Sequence, residues 1–233
     1  MKRVTFNRLR SIQKVITKRN AVIGILAVIG LSLFLSIYDG IQEKDDLALF
    51  DTPLLEWAVS HQNETLVFIM HLVTDILSPV AISVGVITGV IVWIWHTKQY
   101  RRPFILIGAM AAAFILSALI KTFTARDRPT LTDLLQSPGA ISYSFPSGHT
   151  IGVAVLVFTL GYFYCVAAPT LRRVIIASAI AVGSIALVAF SRVYLGYHWL
   201  TDVTASVGLA FVILAVVIAV DTYLPQRQKN PTS

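Results

Sequence analysis

The chain has 233 residues, of which 56% are hydrophobic and only 13% charged, and its net charge is +7. A mean hydropathy of +0.74 excludes an ordinary soluble globular domain and indicates an integral membrane protein. The positive charge is concentrated in short segments between apolar stretches. We therefore attribute it to orientation in the lipid bilayer and expect no nucleic-acid partner.

Six apolar stretches predict an all-α fold, a bundle of six transmembrane helices. The second stretch is too long for one upright helix and contains Pro79, so we expect one long helix, tilted or kinked, at this place. After the first span, Pro53 and the pattern LLEWAV predict a short interfacial helix. The six stretches run roughly over residues 21–38, 65–95, 104–120, 151–166, 174–190 and 201–220.

The distribution of lysine and arginine predicts which side of the membrane each segment occupies. A cytoplasmic N-terminus places most cations inside, while most acidic residues follow the first span on the outer side. We thus expect a basic cytoplasmic N-terminus over 1–20, a six-helix membrane domain over 21–224 and a cytoplasmic tail over 225–233. The protein is predicted to be a multi-pass protein of the plasma membrane, and a single Cys165 excludes an internal disulfide.

Three polar segments interrupt the apolar chain, and all three are predicted at the extracytoplasmic face. The first, KTFTARDRP, contains Lys121 and Arg128, which are seven residues apart. If the helix continues past Ile120, both would lie on one face and could hold one phosphate from two sides. A lysine at the membrane edge and an unrelated loop arginine would explain this segment equally well.

The second polar segment is PSGH, which directly precedes an apolar run. A helix beginning at Ser147 and Gly148 would offer an anion its free N–H groups and the positive end of its dipole. His149, in the first turn, could protonate a leaving oxygen. Alternatively, Ser147 is only a helix cap and His149 only a hydrogen-bonded histidine at the interface.

The third polar segment, SRVYLGYHWLTD, pairs a histidine with a carboxylate. His198 and Asp202 are four residues apart and share a face if the last helix begins near Tyr197. A carboxylate bound to one imidazole nitrogen leaves the other nitrogen free to attack phosphorus. Arg192 could reach the same phosphate with its planar donors. The alternative is an ion cluster that caps two helices.

The spacing K-x6-RP, then PSGH, then SR-x5-H-x3-D resembles the type 2 phosphatidic acid phosphatase family, lipid phosphatases that share a core with vanadium haloperoxidases. The resemblance implies that His198 is phosphorylated, that Asp202 steadies its ring and that His149 protonates the departing lipid oxygen. It implies no metal and no other cofactor. The residues it assigns to phosphate binding are Lys121, Arg128, Ser147, Gly148 and Arg192.

The predicted function is hydrolysis of a lipid phosphate or pyrophosphate at the outer leaflet. Candidate substrates are undecaprenyl pyrophosphate, phosphatidylglycerophosphate and phosphatidic acid, and a compact chain with an outward site favours the first. A lipid transporter or flippase would explain the cations but not the pair of His198 and Asp202. A haloperoxidase-like oxidoreductase is disfavoured by six membrane-embedded helices. The oligomeric state stays open.

Overall fold

The computed structural model describes residues 2–43, 46–129 and 143–224, and every regular element in these ranges is helical. The predicted tail over 225–233 and the middle of the loop before PSGH lie outside the described residues. In chain order the helices are α1 (Lys2–Glu43), a 3-10 helix (Asp46–Phe50), α2 (Asp51–Ser60), α3 (Glu64–Ile76), α4 (Pro79–Thr97), α5 (Arg101–Thr124), α6 (Gly148–Ala167), α7 (Leu171–Tyr194) and α8 (Leu200–Tyr223).

Six of the described helices are long and apolar enough to cross a membrane. They are the part of α1 from Thr17 to Glu43 and the whole of α4, α5, α6, α7 and α8. The prediction of six spans is confirmed. The short helix predicted after the first span is α2, which buries Leu55 and Ala58 and leaves Trp57 47% exposed.

The second apolar stretch forms two helices, so the prediction of one long helix is wrong. The helical backbone is interrupted at Leu77 and Ser78, between α3 and α4. Ser78 has an extended backbone, its Oγ accepts the Ala81 N–H at 3.2 Å, and Pro79 follows in the first turn of α4. Serine at the cap and proline at the first helical position together start a new helix, so Pro79 begins α4 and does not kink a longer helix.

Helix α3 stays at one end of the bundle and does not cross it. Just before α3, the Gln62 side chain donates to the main-chain oxygen of Tyr194 at 2.6 Å. Near the other end of α3, Thr74 Oγ1 lies 2.8 Å from Arg192 Nη1 and 3.4 Å from Ser191 Oγ. Both ends of α3 thus contact the last turn of α7. Only α4 makes the second crossing, which leaves the number of spans at six.

Helix α8 lies at the centre of the bundle, against α1, α5 and α6. Its closest approach is to α1, where Gly30 and Gly208 face each other. A Cβ atom on Gly30 would lie 2.5 Å from the Gly208 oxygen, so glycine is required for this crossing. The bundle places the end of α5, the start of α6, the end of α7 and the start of α8 at one end of the molecule.

Candidate active site

The four helix ends bring the three polar segments together. The side chain of His198 lies within electrostatic range of Arg192, Lys121, Arg128 and His149. These residues come from all three segments, which are far apart in the chain. The cluster predicted from the sequence is therefore assembled in the fold, at the junction of α5, α6, α7 and α8.

His198 and Asp202 form a buried pair. His198 Nδ1 lies 3.1 Å from Asp202 Oδ2, and the two residues are 2% and 0% exposed. The same oxygen accepts the Trp199 N–H at 3.0 Å. Because Nδ1 faces a carboxylate, it carries the ring proton, and Nε2 keeps its lone pair. Burial, with the Arg192 charge next in size, lowers the pKa of His198 well below its ordinary value, so the ring is neutral at physiological pH.

The pair forms by a different local geometry from the one predicted. Helix α8 begins at Leu200 and not near Tyr197, so His198 precedes the helix and does not share a face with Asp202. Gly196 has a left-handed φ of 71°, and the following Tyr197 and His198 N–H groups donate to the Arg192 oxygen at 2.9 and 3.2 Å. This tight turn places the imidazole above the first turn of α8.

Arg192 is held rigidly beside the histidine. It is 6% exposed, its Nη1 donates to Thr74 Oγ1 at 2.8 Å, and its guanidinium lies 4.3 Å from the centre of the Tyr197 ring. Its Nε is buried and finds no acceptor among the described residues. Asp75 also acts electrostatically on Arg192. The guanidinium retains donor capacity for an anion.

Lys121 and Arg128 do not share a helix face, so that part of the prediction is wrong. Helix α5 ends at Thr124, and Ala125 turns the chain with a φ of 46°. Arg128 lies in the following loop, where Nη1 donates to the Tyr197 oxygen at 2.8 Å. Lys121 Nζ donates to the main-chain oxygens of Tyr143 and Ser144 at 2.7 and 3.1 Å. An ammonium has three N–H donors, so Lys121 keeps one for a ligand.

The PSGH segment starts α6 as predicted. Ser147 is the cap of the helix; it is fully buried, and its Oγ accepts the N–H and the hydroxyl of Thr150 at 3.4 and 3.0 Å. A Cβ on Gly148 would lie no closer than 3.9 Å to any side chain outside its own turn, so packing within the protein does not require glycine there. Close approach of an anion to the start of α6 would explain why the residue at this position is glycine. His149 follows, half-buried, and hydrogen-bonds to the main chain of Thr74.

A second charged bridge adjoins the pair of His198 and Asp202, and the sequence alone did not assign it to the site. Arg126 donates through Nη1 to Asp202 Oδ1 at 2.6 Å and through Nη2 to Asp51 Oδ2 at 2.7 Å. Asp51 also accepts the Thr201 N–H at 2.9 Å and the Thr201 hydroxyl at 2.6 Å. We call these contacts the Arg126–Asp51 bridge. It connects α2 to the start of α8.

The family model of the PAP2 superfamily matches residues 102–225, which contain all three polar segments. The chain belongs to the PAP2 superfamily. It is 30% identical over 174 residues to phosphatidylglycerophosphatase B of Bacillus subtilis, covering 72% of this chain and 79% of that one. It is 25% identical over 158 residues to an undecaprenyl-diphosphatase of Bacillus subtilis, covering 66% of this chain and 75% of that one.

The fold also matches a solved member of the superfamily. The crystal structure of a transmembrane PAP2-type phosphatidylglycerolphosphate phosphatase from Bacillus subtilis superposes with a TM-score of 0.70 at 25% identity, covering 86% of this chain and 99% of that one. The predicted all-α membrane fold and the resemblance to the type 2 lipid phosphate phosphatases are confirmed. The class of enzyme, a multi-pass membrane phosphatase, follows from both.

Proposed function

We propose that this PAP2 protein hydrolyses a phosphomonoester or pyrophosphate of a membrane lipid through a phosphohistidine on His198. One observation carries the proposal. His198 Nδ1 is bound to Asp202, which leaves Nε2 unprotonated in a pocket that also contains three cations. A neutral imidazole fixed in this tautomer is a nucleophile, whereas a site that only binds phosphate has no need of one.

In the first half of the reaction, Nε2 of His198 attacks phosphorus as the bond from phosphorus to the lipid oxygen breaks. The electron pair of that bond goes to the lipid oxygen, which takes a proton from His149 in the first turn of α6. The imidazole becomes positively charged as the nitrogen–phosphorus bond forms. Asp202, with its Oδ2 on Nδ1, stabilises that charge.

In the second half, His149 removes a proton from water as the water oxygen attacks phosphorus. The nitrogen–phosphorus bond breaks, its electrons return to Nε2, and inorganic phosphate leaves. The same histidine serves as acid and then as base. The products are the dephosphorylated lipid and one phosphate per cycle.

The phosphate oxygens are held by donors that the fold has already positioned. Arg192 is fixed by Thr74 and Tyr197, and Lys121 and Arg128 are anchored to main-chain oxygens. The N–H groups of Gly148 and its neighbours at the start of α6 and the Ser147 hydroxyl complete the set that we propose. Charge on the transferring group is spread over its oxygens, so preorganised donors supply most of the stabilisation of the transition state.

The similarity to known proteins changes the order of the candidate substrates. The relative with the larger overlap is a phosphatidylglycerophosphatase, and so is the matched crystal structure. We therefore put phosphatidylglycerophosphate before undecaprenyl pyrophosphate, the substrate favoured by the sequence alone. Phosphate release from these two lipids and phosphatidic acid, compared in one detergent assay, decides the order by the ratio of their kcat/KM values.

We further propose that the active site faces away from the cytoplasm. Cations at the opposite end of the bundle, among them Lys98, Arg101, Arg102, Arg172 and Arg173, outnumber the acidic residues there, as expected for the cytoplasmic side. After Cys165→Ala, a membrane-impermeant thiol reagent should label Glu64→Cys in intact cells and should label Gln99→Cys only after permeabilisation. The reverse pattern would invert this orientation.

The covalent step is tested by trapping the intermediate. The enzyme is mixed with lipid labelled in its phosphate, quenched in alkali to preserve phosphohistidine, and digested for mass spectrometry. We expect the label on His198, and none in the His198→Ala protein. Label on another residue, or turnover by the His198→Ala protein at the wild-type rate, would disprove the mechanism.

A further inference from the structure

A second feature of the molecule begins at the end opposite the active site and extends along the bundle. An apolar groove of about 490 Å³ runs between α5 and α8. Its walls include Gly108, Ala112 and Leu116 of α5 and Val212, Val216 and Val220 of α8, and Arg101 closes one end. We call it the α5–α8 groove. None of these residues belongs to the proposed active site.

The groove has the dimensions of a lipid chain. From Arg101 to Leu116 it extends fifteen residues along α5, which is about 22 Å at the rise of an α-helix. That length is most of the thickness of the hydrocarbon layer of the membrane. The absence of side-chain bulk at Gly108, where an added Cβ would meet nothing within 4 Å, leaves the channel open.

The end of the groove carries an excess of positive charge. Arg101 Nη1 and Arg102 Nε lie 3.0 and 3.7 Å from the same Asp221 oxygen, so two guanidinium groups share one carboxylate. Tyr162 donates its hydroxyl to the other Asp221 oxygen at 2.9 Å, and Arg19 acts electrostatically on that hydroxyl. Three cations therefore surround one acid at this end.

Arg101 also retains an unused donor. Its Nη2 donates to the main-chain oxygen of Asp221, but its Nε is buried and has no acceptor among the described residues. A buried N–H group without a partner costs free energy, and an anionic oxygen would supply one. Positive charge and a spare donor at the end of an apolar channel match a lipid with a phosphate headgroup.

We propose that the α5–α8 groove binds one anionic glycerophospholipid, with an acyl chain along the groove and the headgroup phosphate on Arg101 and Arg102. The site lies at the membrane surface opposite the active site, so its ligand is not the substrate undergoing hydrolysis. A second copy of this chain fits less well. A symmetric pair formed through the groove would bring the two Arg101 side chains towards each other, and like charges oppose that contact.

The test uses native mass spectrometry of the purified full chain with equal amounts of phosphatidylglycerol and phosphatidylcholine. We expect one retained phosphatidylglycerol per chain, preferred about fivefold for each arginine engaged. Gly108→Leu should fill the α5–α8 groove and abolish the preference for phosphatidylglycerol. Gly183→Leu is the matched control, since Gly183 of α7 also has open space around it. It should bind the lipid as the wild type does.

Two further variants locate the bound lipid. Arg101→Gln should reduce the preference, while Arg172→Gln, an exposed arginine at the start of α7, should leave it unchanged. If Lys121→Gln removes the bound lipid, the lipid occupies the active site and the proposal is wrong. Equal retention of the two lipids, retention that survives Gly108→Leu, or a dimer lost in Gly108→Leu would also overturn it. None of these measurements depends on phosphatase activity, so their outcome is independent of the proposed function.

Discussion

Replacing Arg126 tests whether the Arg126–Asp51 bridge positions His198, the proposed nucleophile. In the wild type its guanidinium joins two carboxylates, with Asp51 and Asp202 side chains 4% and 0% exposed and Arg126 itself 16% exposed. Arg126→Gln would leave both carboxylates without their cation. Breaking a buried pair on one side costs about 3–5 kcal/mol, so we expect a clear fall in thermal stability.

The catalytic effect of Arg126→Gln should be larger on kcat than on KM. Asp202 Oδ1 would lose its 2.6 Å contact, and the carboxylate that orients His198 would be free to rotate. A displacement of about 1 Å at a reacting group can lower a rate about 10²-fold, and we expect a loss of that order in kcat. Arg126 is not among the residues we assign to the phosphate, so KM should change little.

The same variant should change the pH dependence. In the wild type, burial first and then the charges of Arg192, Lys121, Arg128 and His149 keep the pKa of His198 low. Without Arg126, Asp202 is left to stabilise a protonated His198, which raises that pKa. Protonation removes the nucleophile, so activity should fall at a higher pH on acidification than in the wild type.

The assay is phosphate release from a lipid phosphate in detergent across a range of pH, with thermal unfolding measured on the same samples. Arg126→Lys should restore part of kcat, because it returns one positive charge but not the forked contact. Asp51→Asn should lower stability with a smaller effect on kcat, since Arg126 keeps Asp202. A fall in stability with wild-type kcat and pH profile in Arg126→Gln would refute a positioning role.

Three other predictions follow from the proposed mechanism. His198→Ala should lower kcat by at least about 10⁴-fold while the protein still folds and inserts, as measured by phosphate release and unfolding temperature. His149→Ala should cost about 10²–10⁴-fold with a lipid leaving group and much less with an activated phenol, since a general acid matters most for a basic oxygen; equal losses would mean that it only binds phosphate. Activity should survive excess EDTA, because fixed cations replace a metal; loss with EDTA and recovery with magnesium would refute this.

The sequence predicted the composition of the candidate site better than its geometry. The lysine, the arginines and the histidines could be found because charged residues in apolar surroundings are rare. The backbone conformation around these residues could not be predicted in the same way. The end of α5 depends on Ala125 adopting a left-handed conformation, and the start of α8 depends on the turn at Gly196. Neither residue's conformation is dictated by the periodicity of apolar residues.

The Arg126–Asp51 bridge shows what short-range sequence patterns cannot reveal. Asp51 is one of several acidic residues after the first span, and it meets Arg126 and Thr201 only when α2 folds against the start of α8. The separation of α3 from α4 had a local signal, the serine and proline at 78 and 79, which is typical of a helix start. The length of the apolar stretch favoured continuity, but the capping signal was the better guide.

The anchoring of the cations bears on the choice between hydrolysis and transport. Lys121 donates to the Tyr143 and Ser144 main chain, Arg128 to the Tyr197 main chain, and Arg192 to Thr74. A transporter must weaken its headgroup contacts during each cycle, which favours donors that move with alternating access. A phosphatase gains from donors that need no rearrangement at the moment of reaction. Two cations tied to the main chain and a third held by Thr74, beside a buried pair of His198 and Asp202, therefore fit hydrolysis better than transport.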